Sequence, residues 1–226
     1  MDRKIRAVVI DDSAFMRKSI SLMLESSGEI EVVATAQDGI EGIEMVKTKM
    51  PDIVTMDIEM PLMDGLTALQ RIMKDYPTPV LMVSSLTTEG AKETLKALEY
   101  GAVDFIPKEL SYENININKI KENLVAKVKA IVSQKSLILI LKRIQNLNFN
   151  KNSAPLIPKK ESPLKSLPQI GYRAIALGIS TGGPMSLQKV IPKLSKTMSI
   201  PMFIVQHMPP KFTKSLAERL NELSDV

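Results

Sequence analysis

Between Ile5 and about Ser133 one pattern repeats five times: a short apolar run, then a longer stretch with apolar residues at helical spacing. The runs are "IRAVVI", "EIEVVATA", "DIVTMDI", "PVLMVSS" and "VDFI". The stretches between and after them are "SAFMRKSISLMLES", "GIEGIEMVKTK", a segment from about Asp64 to Lys74, one from about Glu89 to Tyr100, and one starting near Asn118. Strict strand–helix alternation closes only as a parallel sheet with helices on both faces, joined by right-handed crossovers. The apolar strand interiors fit a sheet covered on both sides. The expected unit is a five-stranded, doubly wound α/β domain over residues 1–130.

The texture then changes. "KVKAIVSQKSLILILKRIQNL" could prolong the last helix, whereas "NFNKNSAPLIPKKESPLKSLPQIG" has no sustained period. Such a composition buries too little apolar area to offset chain entropy, so residues 131–171 are expected to be a flexible linker. Charge divides along the same lines: residues 1–118 carry a net −8, residues 119–171 a net +9 and residues 172–226 a net +4. The basic middle lacks the interleaved aromatics of a single-strand-binding surface and reads as a solvated connector, not a nucleic-acid site. The strand "YRAIALGI" opens a second α/β unit over 172–226, followed by the helix "SLQKVIPKL" interrupted at Pro192, the strand "PMFIVQH" and the helix "KFTKSLAERLNEL". Two strand–helix units leave an apolar sheet edge open. There is no cysteine, which suits a reducing cytoplasm, no signal-peptide pattern at the N-terminus, and no apolar run long enough to enter a bilayer.

In an open parallel sheet, ligands bind beyond the carboxyl ends of the strands. Here the first strand ends in Asp11-Asp12, the third in Asp57 and the fourth in Ser84-Ser85, and Lys108 follows the fifth. Asp11, Asp12 and Ser13 would also serve as caps of the helix that follows. Three converging carboxylates repel one another, and a hard divalent cation with oxygen ligands, Mg²⁺, relieves that repulsion. An aspartate beside Mg²⁺ and an ammonium group is set to attack phosphorus and hold the acyl phosphate, with the Ser84 hydroxyl in reach of a phosphoryl oxygen.

These residues carry a resemblance. "VVIDDSAFMR", "DIVTMDIEMPLMDG", "LMVSS" and "DFIPK" look like the receiver domain of bacterial two-component response regulators, across about the first 125 residues. The resemblance implies that Asp57 accepts phosphate from a sensor histidine kinase. It implies Asp12 and Asp57 as direct Mg²⁺ ligands, Asp11 through water, and Glu59 through its carbonyl. Ser84 would be the hydroxyl switch, Phe105 the aromatic that repacks with it, and Lys108 the phosphate partner. Glu109 stands where most receivers have proline, which leaves the isomer of the peptide bond after Lys108 open.

The second unit holds "GISTGGP", a G-x-S-x-G pattern with a strand before it and a helix after it. A sharp turn there exposes Ser180, and small neighbours let backbone N–H groups approach an oxyanion. Glycine-rich turns also bind phosphate, but Pro184 stands where a phosphate loop would place lysine. His207 is the single histidine in the chain, so a serine needing an imidazole base has one choice. With the receiver-like segment and the basic linker, "AIALGISTGGP" and "IVQHMPP" resemble the chemotaxis response regulator protein-glutamate methylesterases. That resemblance implies that Ser180 attacks a glutamate methyl ester on a methyl-accepting chemoreceptor, with His207 as base and Thr181 at the oxyanion end. Methanol leaves, some members also deamidate glutamines, and the unphosphorylated receiver covers the catalytic cleft.

The family's catalytic domain is much longer than residues 172–226, and its triad aspartate lies beyond them. Glu218, Glu222 and Asp225 fall on or after the last helix, with no evident route to His207. The expectation is therefore a truncated hydrolytic domain with little or no esterase activity. The alternative is a receiver that acts as a phosphoacceptor and interaction module alone. A DNA-binding regulator would need a helix-turn-helix after the linker, where "GISTGGP" stands instead.

Overall fold

The computed structural model describes residues 3–84, 87–108, 117–133, 173–194 and 199–224. The first ten elements alternate without exception: β1 (Ile5–Ile10), α1 (Ala14–Glu25), β2 (Ile30–Ala36), α2 (Gly39–Lys49), β3 (Ile53–Asp57), α3 (Gly65–Asp75), β4 (Val80–Ser84), α4 (Thr88–Glu99), β5 (Asp104–Pro107) and α5 (Ile117–Ser133). All five strands are parallel, in the order β2-β1-β3-β4-β5. The chain winds outward from β1 to β2, then returns and winds the other way, which sets the switch point between β1 and β3.

Local chemistry fixes where the helices begin. Ser13 caps α1 by accepting from the Met16 N–H, Asp38 caps α2, Asp64 caps α3 and Thr87 caps α4. Each supplies an oxygen to a backbone donor that the first turn leaves unpaired. The capping reading of the acidic stretch thus holds for Ser13.

Alternation along the strands sends successive side chains to opposite faces, producing two cores. One face packs Met16, Ile20 and Leu24 of α1 with Leu124, Val128 and Ile131 of α5 over Ala7, Val9, Ile53 and Leu81. The other packs α2, α3 and α4 over Val8, Ile10, Val54, Met56 and Met82.

The second unit consists of β6 (Ile175–Ile179), α6 (Gly183–Val190), a 3-10 turn (Ile191–Lys193), β7 (Met202–Gln206) and α7 (Pro210–Leu223). Pro192 falls in the 3-10 turn, where the helix was expected to break. β6 and β7 pair in parallel as a two-stranded sheet. Leu187, Ile191, Phe212 and Leu216 of this unit join the core that contains Ala91, Leu95 and Phe105 of the first domain. The two units therefore share apolar packing, with α6 and α7 lying against α4. The other side of β7 is bare: Phe203 is 63% exposed and Val205 71%. The expected linker after Ser133, and the helix extension into it, lie outside the described residues.

Candidate functional site

The strand register brings the acidic rim together. Ile10 pairs with Met56, Asp57 with Val83, and Ser84 with Pro107, so Asp11, Asp57, Ser84 and Lys108 occupy one edge. Asp11 and Asp57 are buried and Asp12 is exposed. One carboxylate oxygen of each lies within 4.8 Å of the others. The Lys108 Nζ stands 2.6 Å from Asp57 Oδ2 and 3.2 Å from Asp11 Oδ2. The Ile58 N–H donates to Asp57 Oδ1 at 2.7 Å, and the Ser13 N–H to Asp11 Oδ1 at 3.0 Å. Asp11 Oδ2 is buried without a hydrogen bond, its 3.2 Å approach to Lys108 being an ion pair outside hydrogen-bond geometry. An unfilled buried carboxylate oxygen among hard oxygen donors suits a small divalent cation.

Burial pushes the Asp57 carboxyl up to about 6, against the Lys108 hydrogen bond and charge, which pull it down. Asp57 is still mostly ionised at neutral pH. Burial opposes the charge on Lys108, but the Asp57 hydrogen bond and the charges of Asp57 and Asp11 outweigh it and raise the ammonium above its usual value.

Two supports of this rim were not singled out in the sequence. The Arg17 guanidinium donates to the carbonyls of Asp11, at 2.7 Å, and Asp12, at 3.0 Å, tying the β1–α1 turn to its helix. Gly65 lies so close to β3 that a Cβ there would stand 2.0 Å from the Asp57 carbonyl oxygen. Spacing alone identifies neither.

Glu59 is exposed and lines a surface groove with Asp12 and Asp64. Ser84 is buried, and its hydroxyl donates to the Gly90 carbonyl of α4 at 3.2 Å. Phe105 is buried and stacks on Phe212 of α7, with centroids 4.5 Å apart and planes at 27°. The peptide bond after Lys108 leads to Glu109, outside the described residues.

The serine turn follows the same strand-end logic. Ile179 pairs with Gln206, so Ser180 and His207 each stand one residue past the end of adjacent strands, and the His207 N–H donates to the Ile179 carbonyl at 3.1 Å. Both residues are exposed. Thr181 opens the turn, the Gly183 N–H returns to the Ser180 carbonyl at 2.8 Å, and Gly182 takes φ 74°, a left-handed conformation that favours glycine. Gln206, which sequence reasoning did not flag, lies near the carbonyls of Ser180 and His207, with its Nε2 3.1 Å from each. A Cβ on Gly183 would meet the Gln206 Oε1 at 2.1 Å, so that glycine leaves room for the clamp.

Among the described residues no carboxylate is bonded to His207. Glu222 binds Arg219, Glu218 lies 3.8 Å from Lys214, and Asp225 is outside the described residues. A cavity of about 250 Å³ separates the units, walled by Phe105, Pro107 and Lys127 on one side and Gln206, His207 and Met208 on the other. His207 is thus one of the residues bordering the space between the two units.

Comparison with known proteins agrees with this division. The family described as "Response regulator receiver domain" matches residues 7–119, and "CheB methylesterase" matches residues 175–226. The chain is similar to a protein-glutamate methylesterase/protein-glutamine glutaminase of Pyrococcus abyssi, 49% identical over 99% of this chain and 58% of that protein. The Bacillus subtilis protein of the same name is 44% identical over 98% of this chain and 61% of the relative. The chain therefore spans about three-fifths of the length of the curated relatives it matches. Among solved structures it is similar to the response regulator domain of Thermotoga maritima CheB, 44% identical, with a TM-score of 0.53, covering 58% of this chain and 98% of that one.

Proposed function

Because the chain belongs to the response regulators, with a receiver domain followed by a segment of the CheB methylesterase family, we propose that it is a phosphorylation-controlled protein-glutamate methylesterase of chemotaxis. In this reading Asp57 is the phosphoacceptor. Its carboxylate attacks phosphorus, the bond to the histidine of a sensor kinase breaks, and the imidazole leaves with the electron pair. Lys108, already ion-paired at 2.6 Å, then follows the charge onto the phosphoryl oxygens. Asp11, Asp12, Asp57 and the Glu59 carbonyl would hold Mg²⁺, which when bound neutralises charge on the phosphoryl group.

In the second unit Ser180 Oγ attacks the carbonyl carbon of a receptor glutamate's methyl ester, and the bond from that carbon to the methoxy oxygen breaks. His207 takes the serine proton and passes it to the departing methoxide, giving methanol, and later activates the water that frees the enzyme. Thr181 stands at the oxyanion end. The shared cavity with His207 on its wall supports a receiver that covers this cleft until phosphorylated. Residues 1–130, 131–171 and 172–226 are the proposed receiver, linker and catalytic segment, acting in the cytoplasm on the inner portions of chemoreceptors. Among the described residues no helix is long and apolar enough to cross a membrane.

The observation that carries the regulatory half is the buried Asp57–Lys108 pair beside Asp11 and Asp12. Its test is phosphoryl transfer from acetyl phosphate with Mg²⁺, followed by intact mass. One phosphoryl group on the wild-type chain and none on Asp57→Asn supports it; equal labelling of the two overturns it.

A second reading, a receiver acting as a phosphoacceptor and interaction module without ester hydrolysis, is favoured by one observation: among the described residues no carboxylate is bonded to His207. Because these 226 residues span about three-fifths of the relatives' length, methanol release from methylated receptor segments, measured with the chain joined to the remainder of a relative's methylesterase domain, decides between them. Release that disappears in Ser180→Ala supports the esterase; labelling of Asp57 without methanol supports the module.

A further inference from the structure

Thr94 sits in the middle of α4 with no exposed surface, flanked by Ala91, Leu95 and Leu98 of the core. A buried hydroxyl in such a place costs stability unless it is bonded, and valine has the same shape without that cost. The Thr94 Oγ1 lies 2.7 Å from the Ser84 Oγ and 2.6 Å from the Gly90 carbonyl oxygen, and the Ser84 Oγ lies 3.2 Å from that same carbonyl. Three oxygens thus form a closed triangle. The two hydroxyls bring one proton each, so at most two of its three sides are hydrogen bonds at any moment. In one arrangement Thr94 donates to Ser84, and Ser84 donates to the Gly90 carbonyl.

We propose that Thr94 is a positioning residue, a latch that holds the Ser84 hydroxyl against α4 and so favours the unphosphorylated state. The proposal rests on the reading of Asp57 as the phosphoacceptor and Ser84 as the hydroxyl that turns to its phosphoryl group. To reach that group, Ser84 leaves the triangle and breaks its bond with Thr94. The latch also has a route outward, because the next turn of α4 carries Leu95, Lys96 and Glu99 toward Ser215 and Arg219 of α7. Freeing Ser84 thereby loosens the helix on which the second unit is docked. A ligand that binds the switched state is weakened by whatever stabilises the other state.

The test is the affinity of the 226-residue chain for beryllium trifluoride in excess Mg²⁺, a stand-in for the phosphoryl group, read by calorimetry. Thr94→Val removes one buried hydrogen bond from the off state and should tighten binding about fivefold. Thr94→Ser keeps the hydroxyl and should match wild type, which a purely steric role for the threonine would not produce. Thr94→Ala repeats the test if the valine is not accommodated. In a Ser84→Ala background, Thr94→Val should bring no further tightening. Wild-type affinity in Thr94→Val and Thr94→Ala, or tightening in Thr94→Ser equal to that in Thr94→Val, overturns the latch. Binding that is absent from the wild type, or unchanged by Asp57→Asn, overturns the phosphoacceptor reading itself and the latch with it.

Discussion

Phe105, at the end of the receiver sheet, stacks face to face on Phe212 of α7, with their ring centroids 4.5 Å apart. Each is nearly or wholly buried, so neither unit's apolar surface is complete without the other. The residue expected to repack with the switch hydroxyl is thus one of those on which the second unit packs, alongside Ala91 and Leu95 of α4.

Phe212→Ala is expected to cost about 3–5 kcal/mol, of which roughly 1 kcal/mol is the ring pairing and the rest lost burial and a residual cavity. The loss should be local. Hydrogen exchange should show faster amides in β6, β7, α6 and α7 and unchanged protection in β1, β3 and β4. Uniform acceleration throughout the receiver sheet would contradict the separability of the two units.

Asp57→Asn is expected to stabilise the chain at neutral pH. Because the folded carboxyl is raised to about 6 from 3.8, the folded state holds its proton more tightly than the unfolded state, and stability falls as pH rises from about 4 to 6. The burial penalty is complete above pH 6 and absent below about 4. The asparagine chain should be more stable by about 1–2 kcal/mol at pH 8, after allowing for the partner that Lys108 loses, and equal to wild type at pH 4. Denaturant melts at the two pH values check this.

Lys108→Met leaves Asp11 and Asp57 buried without their counter-charge. A loss of about 2–4 kcal/mol is expected in the absence of divalent cations. Mg²⁺ should restore more stability to this variant than it adds to wild type, since the cation replaces the missing positive charge. Thermal melts with and without Mg²⁺ give the comparison, and an equal shift in both chains would count against the three aspartates as its ligands.

Gly65→Ala places a methyl group 2.0 Å from the Asp57 carbonyl oxygen, so backbone must move. The expected cost is about 3 kcal/mol, with weaker phosphoryl acceptance even though the carboxylate remains. By contrast, Arg219→Ala removes a half-exposed contact with Glu99 and should change stability by less than about 1 kcal/mol.

Much of the receiver was legible because its chemistry stands at fixed points in the chain. Asp11, Asp57 and Ser84 close apolar runs, and a parallel sheet gathers such ends whatever the loops do. Ser180 and His207 were legible for the same reason, each being the first residue past the end of a strand. Thr94 and Gln206 were not. A threonine inside a helix has no periodic signature, and its value depends on which strand the helix covers. The packing of α7 on α4 was equally hidden, because amphipathic spacing in "KFTKSLAERLNEL" reveals an apolar face but not its partner. The bare side of β7 differs from the buried strands of the first sheet, although both read as apolar runs. Burial is a property of neighbours, which the run does not encode.

β5 presents Phe105 to the docked helix and delivers Lys108, three positions later, to the acidic rim. That separation is only about 10 Å of extended backbone. Traffic along so short a lever runs both ways. In the proposed reading, where the phosphorylated state releases the second unit, α7 docking and phosphoryl transfer oppose each other by the same free energy. Severing the chain after Ser133 should therefore yield a receiver that charges more readily than it does with its passenger attached.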